Sequence, residues 1–320
     1  MRSLCILFFL FLSCSCLAQK DSSDHFINPN IHIAPEDSGW KGVPVKLNKR
    51  LCIAVVSSEA AIGIGSMIAL NSVWYKDYPR TSFHFFDDSR EWLQMDKYGH
   101  VITAYTIGKT GIALLKKCGV SEKKAAIFGG SLGLIYQSGL EVLDGYSSGW
   151  GFSWSDMAAN ATGAIFCTGQ ELLWQQQRLT LKFSYHDTYF PNYRPEELGN
   201  SEGQRIFKDY NGQTYWLSAS ISSFIKKENK FPGWLDVAFG CGAYGMTGGK
   251  SDPSFNNKGM SIPVFERYRK FYFSLDADLW RIKKMPRFLK IFTQTFGFIK
   301  IPFPALEFSK KGVVFLPLYF

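Results

Sequence analysis

The chain has 320 residues, 46% hydrophobic and 16% aromatic, which is enough to bury a large core and too apolar for a disordered polymer. Its formal charge of +9 is spread along the chain, and the densest basic stretch is RIKKMPRFLK, residues 281–290. No nucleic-acid motif accompanies that stretch, so nucleic acid is excluded. Basic residues alternating with apolar ones suit an anionic lipid surface, and a membrane lipid surface is the expected partner.

The chain opens with MRSLCILFFLFLSCSCLAQK, an early Arg followed by a short apolar run and a small-residue end. This reads as a secretory signal peptide over residues 1–18, cleaved before Gln19. The residues preceding Cys14 and Cys16 fit a lipid-attachment signal poorly. The protein is therefore expected to be exported, to the periplasm or the outer membrane. Disulfides are allowed there, but Cys52, Cys118, Cys167 and Cys241 are too scattered to predict a pairing. Residues 19–47 form an extended polar leader.

Leu51 to Tyr75 is nearly long enough to cross a bilayer. It holds Glu59 and several serines, so two readings stand: a helix buried in a bundle, or an inner-membrane span over residues 51–75. A second helix is expected from near Ser89 to about Cys118, with Val101, Ala104, Tyr105, Ile112 and Leu115 on one face. A third runs from Ser121 to near Asp144, and a fourth from Phe152 to about Gln177. Residues 48–177 thus read as an apolar bundle of about four helices.

Beyond residue 178 the composition turns aromatic and β-branched. LTLKFSY, QTYWLSASI, WLDVAFGCGAYGM, KFYFSLDADLW and KGVVFLPLYF carry the period-two alternation of half-buried strands. Asn211-Gly212 has the composition of a hairpin turn. Roughly six candidate strands and a terminal Tyr319-Phe320 allow an antiparallel sheet or a partial barrel over residues 178–320, and fall short of a closed barrel. The expected fold class is α+β.

Polar residues form stripes on three of the expected helices. Asp96 and His100 are four apart on the second; Gln137, Glu141 and Asp144 follow Gly130 and Gly133 on the third. Asp156, Asn160, Gly163 and Cys167 line the fourth. Small residues let helices approach closely, and the polar groups then need partners. The candidate constellation is Asp96, His100, Glu141, Asp144, Asp156 and Asn160.

A structural polar network is the first reading of these residues. Ser153-x-x-Asp156 is a capping-box pattern, Lys97 is a solvated charge or an ion-pair partner, and His100 is a satisfied interior histidine. The alternative is catalytic: His100 as general base with the carboxylates orienting it. No cofactor is the first expectation; a divalent metal held by His100, Glu141, Asp144 and Asp156 is the other. In functional terms the chain reads as a structural or scaffolding envelope protein. Two alternatives stand: an enzyme acting on a lipid or cell-wall intermediate, and a lipid or small-ligand binding module.

DKYGH (96–100), LEVLDG (140–145) and SSGWGFSWSDMAANATGA (147–164), in that order, resemble the YfiM-like family. These are exported envelope proteins, often predicted periplasmic lipoproteins, of uncharacterised activity. The pattern is more distantly similar to VanZ-like membrane proteins, with D-K-x-x-H, a Glu and D-x-x-x-N-x-x-G. The resemblance covers residues 86–175 and carries over Asp96, Lys97, His100, Glu141, Asp144, Asp156 and Asn160 as polar positions. It implies an envelope location and no reaction. This chain departs in lacking a good lipid-attachment signal, in placing Phe152 where the loop has its first Trp, and in adding a β-rich half.

Overall fold

The computed structural model describes residues 46–320, apart from 74, 76–77, 226–230, 283–285, 287–292 and 294–295. The expected signal peptide, nearly all of the leader, and the basic residues of 281–290 other than Arg281 lie outside the described residues. The fold is α+β, with helices in the N-terminal half and a six-stranded antiparallel sheet in the C-terminal half.

Helix α1 (Lys49–Val73) packs Leu51, Cys52 and Val55 against Leu114, Cys118 and Val120. Its other face exposes Ile53, Val56, Ile64 and Ile68, while Glu59 is turned inward and buried. Its stretch Lys49–Ala69 is long and apolar enough to cross a membrane. Helices α2 (Met95–Lys117), α3 (Gly130–Gly145) and α4 (Trp154–Trp174) pack against one another. Their closeness depends on missing side chains. A Cβ on Gly133 would lie 2.0 Å from the Ala104 carbonyl oxygen, and one on Gly163 would lie 2.2 Å from that of Val101. Backbone thus meets backbone, and the polar stripes are drawn to one interior point.

Three helix limits differ from the sequence expectation. The second helix starts at Met95 rather than near Ser89, because Trp92, Leu93 and Gln94 take left-handed φ values of 47°, 49° and 62°. Contacts with the sheet half hold that turn: Trp92 N donates to the Gly249 carbonyl at 3.0 Å and Arg269 Nη2 donates to Gln94 Oε1 at 2.7 Å. Tertiary pairing overrides local propensity there. The third helix is interrupted, with one α turn at Glu122–Lys124 and a π turn at Ala125–Gly129 before α3. The fourth stops at Trp174, where Gln175 adopts φ 56°.

The strands are β1 (Leu179–Tyr185), β2 (Gln213–Ser220), β3 (Leu235–Tyr244), β4 (Tyr268–Ala277), β5 (Phe303–Ser309) and β6 (Gly312–Tyr319), each paired with the next in sequence. The sheet is not closed. The β1 edge is covered instead by the segment before β5: Phe183 N donates to the Phe298 carbonyl at 2.7 Å, and Lys300 N donates to that of Phe183 at 2.9 Å. Strand β5 has no clear period-two pattern in the sequence, since Pro302 precedes it and Pro304 falls within it. Asn211-Gly212 is not a hairpin turn. It joins a short helix, Glu202–Lys208, to β2, and the Asn211 side chain pairs with the backbone of Met246.

The register separates two chemically opposite faces. One row runs Leu217, Phe239, Phe273, Leu306, Phe315 across five strands, with Phe271, Phe308 and Val313 beside it. On β1 and β2 this face meets the helices: Leu181 packs with Tyr105, Ile112 and Cys167, and Tyr98 stacks on Tyr215. On β3 to β6 it is open, leaving Phe239, Phe271, Phe308, Val313 and Phe315 between 41% and 63% exposed. The opposite face is buried and polar. Lys182, Ser218, Asp236, Ser274 and Asp276 lie there beside Trp216, Tyr272 and Tyr319. Lys182 Nζ pairs with Asp276 Oδ2 at 2.6 Å, and Lys300 Nζ sits 4.6 Å from the centre of the Trp216 ring. Gly240 is required under that ring, since a Cβ would meet it at 2.8 Å. Arg281, the described member of the basic stretch, also turns inward, donating to Asp278 Oδ2 at 3.0 Å and to the Gln177 carbonyl at 3.3 Å.

Candidate functional site

The first turns of α2 carry Asp96, Lys97 and His100 toward α3 and α4. Lys97 Nζ lies 2.9 Å from Asp96 Oδ2, 2.6 Å from Asp156 Oδ1 and 2.7 Å from Asp88 Oδ1. Lys97 is therefore an ion-pair partner. Asp88 comes from the connector before α2 and also accepts from Ser153 Oγ at 2.6 Å and Ser155 Oγ at 2.7 Å. Sequence reasoning missed Asp88; its one signal was an acidic pair, Asp87-Asp88, following the aromatic run FHFF.

Ser153 caps α4, its Oγ accepting from Asp156 N at 3.1 Å. The capping box is only half formed. Asp156 turns its carboxylate to Lys97, and the Ser153 N–H donates instead to Glu141 Oε2 at 3.3 Å. This leaves Glu141 Oε1 with no hydrogen-bond partner among the described residues, on a residue only 1% exposed. His100 Nδ1 hydrogen-bonds Asn160 Oδ1 at 3.0 Å, and Gln137 Nε2 donates to the same oxygen at 3.3 Å. The His100 ring faces two carboxylates just beyond hydrogen-bond range, with Nδ1 3.7 Å from Glu141 Oε1 and Nε2 3.6 Å from Asp156 Oδ1.

The structure thus brings His100, Glu141, Asp156 and Asn160 together, with Asp96 joined through Lys97. Asp144, one helical position set beyond Glu141, is turned to a different partner: Tyr75 Oη donates to its Oδ1 at 2.5 Å. Tyr75 is the second residue missed, since nothing in its spacing ties it to Asp144. The loop between α3 and α4 is strapped by the connector, with bridges Arg80–Ser147 and Phe85–Phe152. Phe83, Phe85, Phe152 and Trp154 pack edge to face or stacked along that strap, and Trp150 packs on Tyr75 and Tyr78.

Burial sets the electrostatics. It pushes Glu141 up to about 8, Asp144 and Asp156 up to about 6, and Asp96 upward as well. Burial alone would lower His100, but Asp156, Glu141 and Asp96 outweigh it and raise the imidazole. Lys97 likewise is lowered by burial and raised on balance by Asp96 and Asp156. Asp88 is raised by burial and then held well below the usual carboxylate range by its hydrogen bonds, those from Lys97, Ser153 and Ser155 among them. The site is anion-rich and desolvated, an arrangement that retains protons or takes up a cation.

Residues 84–170 match the model of a family described as predicted periplasmic lipoprotein (DUF2279). The match starts in the connector that supplies Asp88 and ends within α4. It therefore contains the whole constellation except Tyr75, and leaves out α1 and the sheet. It supports an exported, envelope location and carries no activity. No curated protein and no solved structure matches the chain.

Proposed function

We propose that this is a membrane-associated envelope protein in which the helical constellation is a structural lock and the open face of the sheet lies against lipid. The observation that carries the reading is the inverted polarity of the sheet. Lys182, Asp236, Asp276 and Lys300 are buried, while Phe239, Phe271, Phe308 and Phe315 face outward. Charged groups are excluded from interiors and aromatic rings from solvent unless another medium covers the apolar side. An open sheet cannot cross hydrocarbon, because its edges would lose their hydrogen bonds, so the face rests in the interfacial layer. Helix α1, apolar along its exposed side, is the natural anchor beside it. The narrower likeness to YfiM-like proteins, and more distantly to VanZ-like membrane proteins, supports the same setting.

The test is photolabelling of the full chain in phosphatidylethanolamine–phosphatidylglycerol vesicles that contain a photoactivatable phospholipid, with adducts mapped by mass spectrometry. Adducts are expected on the β3, β4 and β6 peptides carrying Phe239, Phe271 and Phe315, and on α1. Adducts confined to α1 would remove the sheet from the membrane, and none at all would remove the protein from it.

A further inference from the structure

Two groups of donors in the constellation are tight enough to hold a cation: Asp88, Asp96 and Asp156, and His100, Glu141 and Asp156, with the atoms of each group within 4.8 Å of one another. The first already has its cation, the ammonium of Lys97, within 2.9 Å of all three carboxylates. The second shares one donor with the first, Asp156 Oδ1, while Glu141 Oε1 meets no ammonium or guanidinium among the described residues. Around it Asp88, Asp96, Glu141, Asp144 and Asp156 stand against Lys97 and His100, an excess of negative charge in a desolvated place. Such an excess costs free energy until a cation or protons neutralise it.

A separate observation points to a ligand at the second group. Glu141 is 1% exposed, its Oε2 is fixed by the Ser153 N–H, and its Oε1 is aimed at His100 with no hydrogen-bond partner among the described residues. Buried carboxylate oxygens are ordinarily satisfied, so an orphan held in position needs an explanation. Asn160 supplies the outer support that a ligating histidine needs. Asn160 Oδ1 lies 3.0 Å from His100 Nδ1 and Gln137 Nε2 lies 3.3 Å from it, and these contacts hold the ring with Nε2 facing Asp156 Oδ1 at 3.6 Å. The His100 side chain is 24% exposed, so the group is reachable from solvent.

We propose that His100, Glu141 and Asp156 bind one first-row divalent cation of the Zn²⁺ or Mn²⁺ type. One imidazole nitrogen with two carboxylate oxygens favours such an ion over Mg²⁺ or Ca²⁺, which prefer all-oxygen shells. Metal–ligand distances of about 2.0–2.2 Å at tetrahedral angles place donors roughly 3.3–3.6 Å apart. The His100 Nε2 to Asp156 Oδ1 spacing of 3.6 Å already meets this, and the rest of the group, now within 4.8 Å, must draw in by up to about 1.5 Å. Asn160 is a positioning residue, and Lys97 keeps the cation from Asp88 and Asp96.

The experiment uses the full chain in detergent, stripped with chelator and titrated separately with ZnCl₂, MnCl₂ and MgCl₂. It reads metal content per chain after dialysis and the thermal unfolding midpoint. One Zn²⁺ or Mn²⁺ per chain is expected, with a raised midpoint and little response to Mg²⁺. Glu141→Gln should abolish saturable binding while raising the midpoint of the metal-free protein, since it removes a buried carboxyl that folding must either protonate or leave charged and unpaired. That opposite pair of changes separates loss of a ligand from loss of the fold. Asn160→Ala should weaken binding by about 10–100-fold. Failure to bind either ion stoichiometrically, or binding that Glu141→Gln leaves unchanged, overturns the proposal. Neither result bears on where the sheet sits.

Discussion

Lys97 pairs with three carboxylates that come from three separate places: its neighbour Asp96, the connector residue Asp88, and Asp156 at the start of α4. Removing a single partner from a buried ion cluster leaves uncompensated charge, at a cost of about 3–5 kcal/mol. Lys97→Met is therefore expected to destabilise the protein by that amount in urea titrations, and adding Asp156→Asn should restore part of the loss. Lys97, His100 and the facing carboxylates were legible because D-K-x-x-H and the stripes on the later helices keep helical spacing. Asp88 and Tyr75 were not, because they act across 65 and 69 residues of chain and belong to no periodic pattern. A second buried acid gives a pH signature. Asp236, on the interior face of the sheet, is pushed by burial up to about 7. Its folded form binds a proton more tightly than the unfolded chain, where the value is about 3.9, so its contribution to stability is lost as pH rises from about 4 to about 7. Asp236→Asn should flatten that part of the stability–pH curve and leave the variant more stable than the parent at alkaline pH, as measured by urea unfolding at a series of pH values.

Helix α4 ends on Gln175, an exposed residue held at φ 56° whose N–H donates to the Glu171 carbonyl at 2.9 Å. Left-handed backbone disfavours any side chain with a Cβ, and glycine is the usual residue at such a helix end. Gln175→Gly is expected to raise stability by roughly 0.5–1 kcal/mol, seen as a higher thermal midpoint with an unchanged far-ultraviolet spectrum. This end was invisible in the sequence because no glycine or proline marks it. The same reason explains the start of α2: Trp92, Leu93 and Gln94 have no turn chemistry, and tertiary contacts, among them those with Gly249, Arg269 and Tyr210, hold them left-handed. Strands are the converse case. In β4 the alternation of Phe271, Phe273 and Leu275 with Tyr272, Ser274 and Asp276 matches exposed and buried positions one for one, because period two leaves no other register.

The family match ends at residue 170, within α4, yet the helices do not end their contacts there. Gln170 Nε2 donates to the Leu179 carbonyl at 2.9 Å while its Oε1 accepts from Leu179 N at 2.8 Å, and Tyr105 Oη donates to that carbonyl at 3.2 Å. Leu181 then fills the space between Tyr105, Ile112 and Cys167, and Arg269 reaches back to Gln94. Two halves joined by apolar burial and by side chains that satisfy each other's backbone should open together, because separating them would expose both sets of groups. Leu181→Ala deletes part of that junction at a cost of about 2 kcal/mol for a partly buried leucine. Native-state hydrogen exchange supplies the measurement. If the halves are coupled, the slowest amides of α2 and of β2 lose the same opening free energy in the variant. Protection lost in β2 alone, with α2 unmoved, would mean that the helical unit stands on its own and the sheet is an appendage to it.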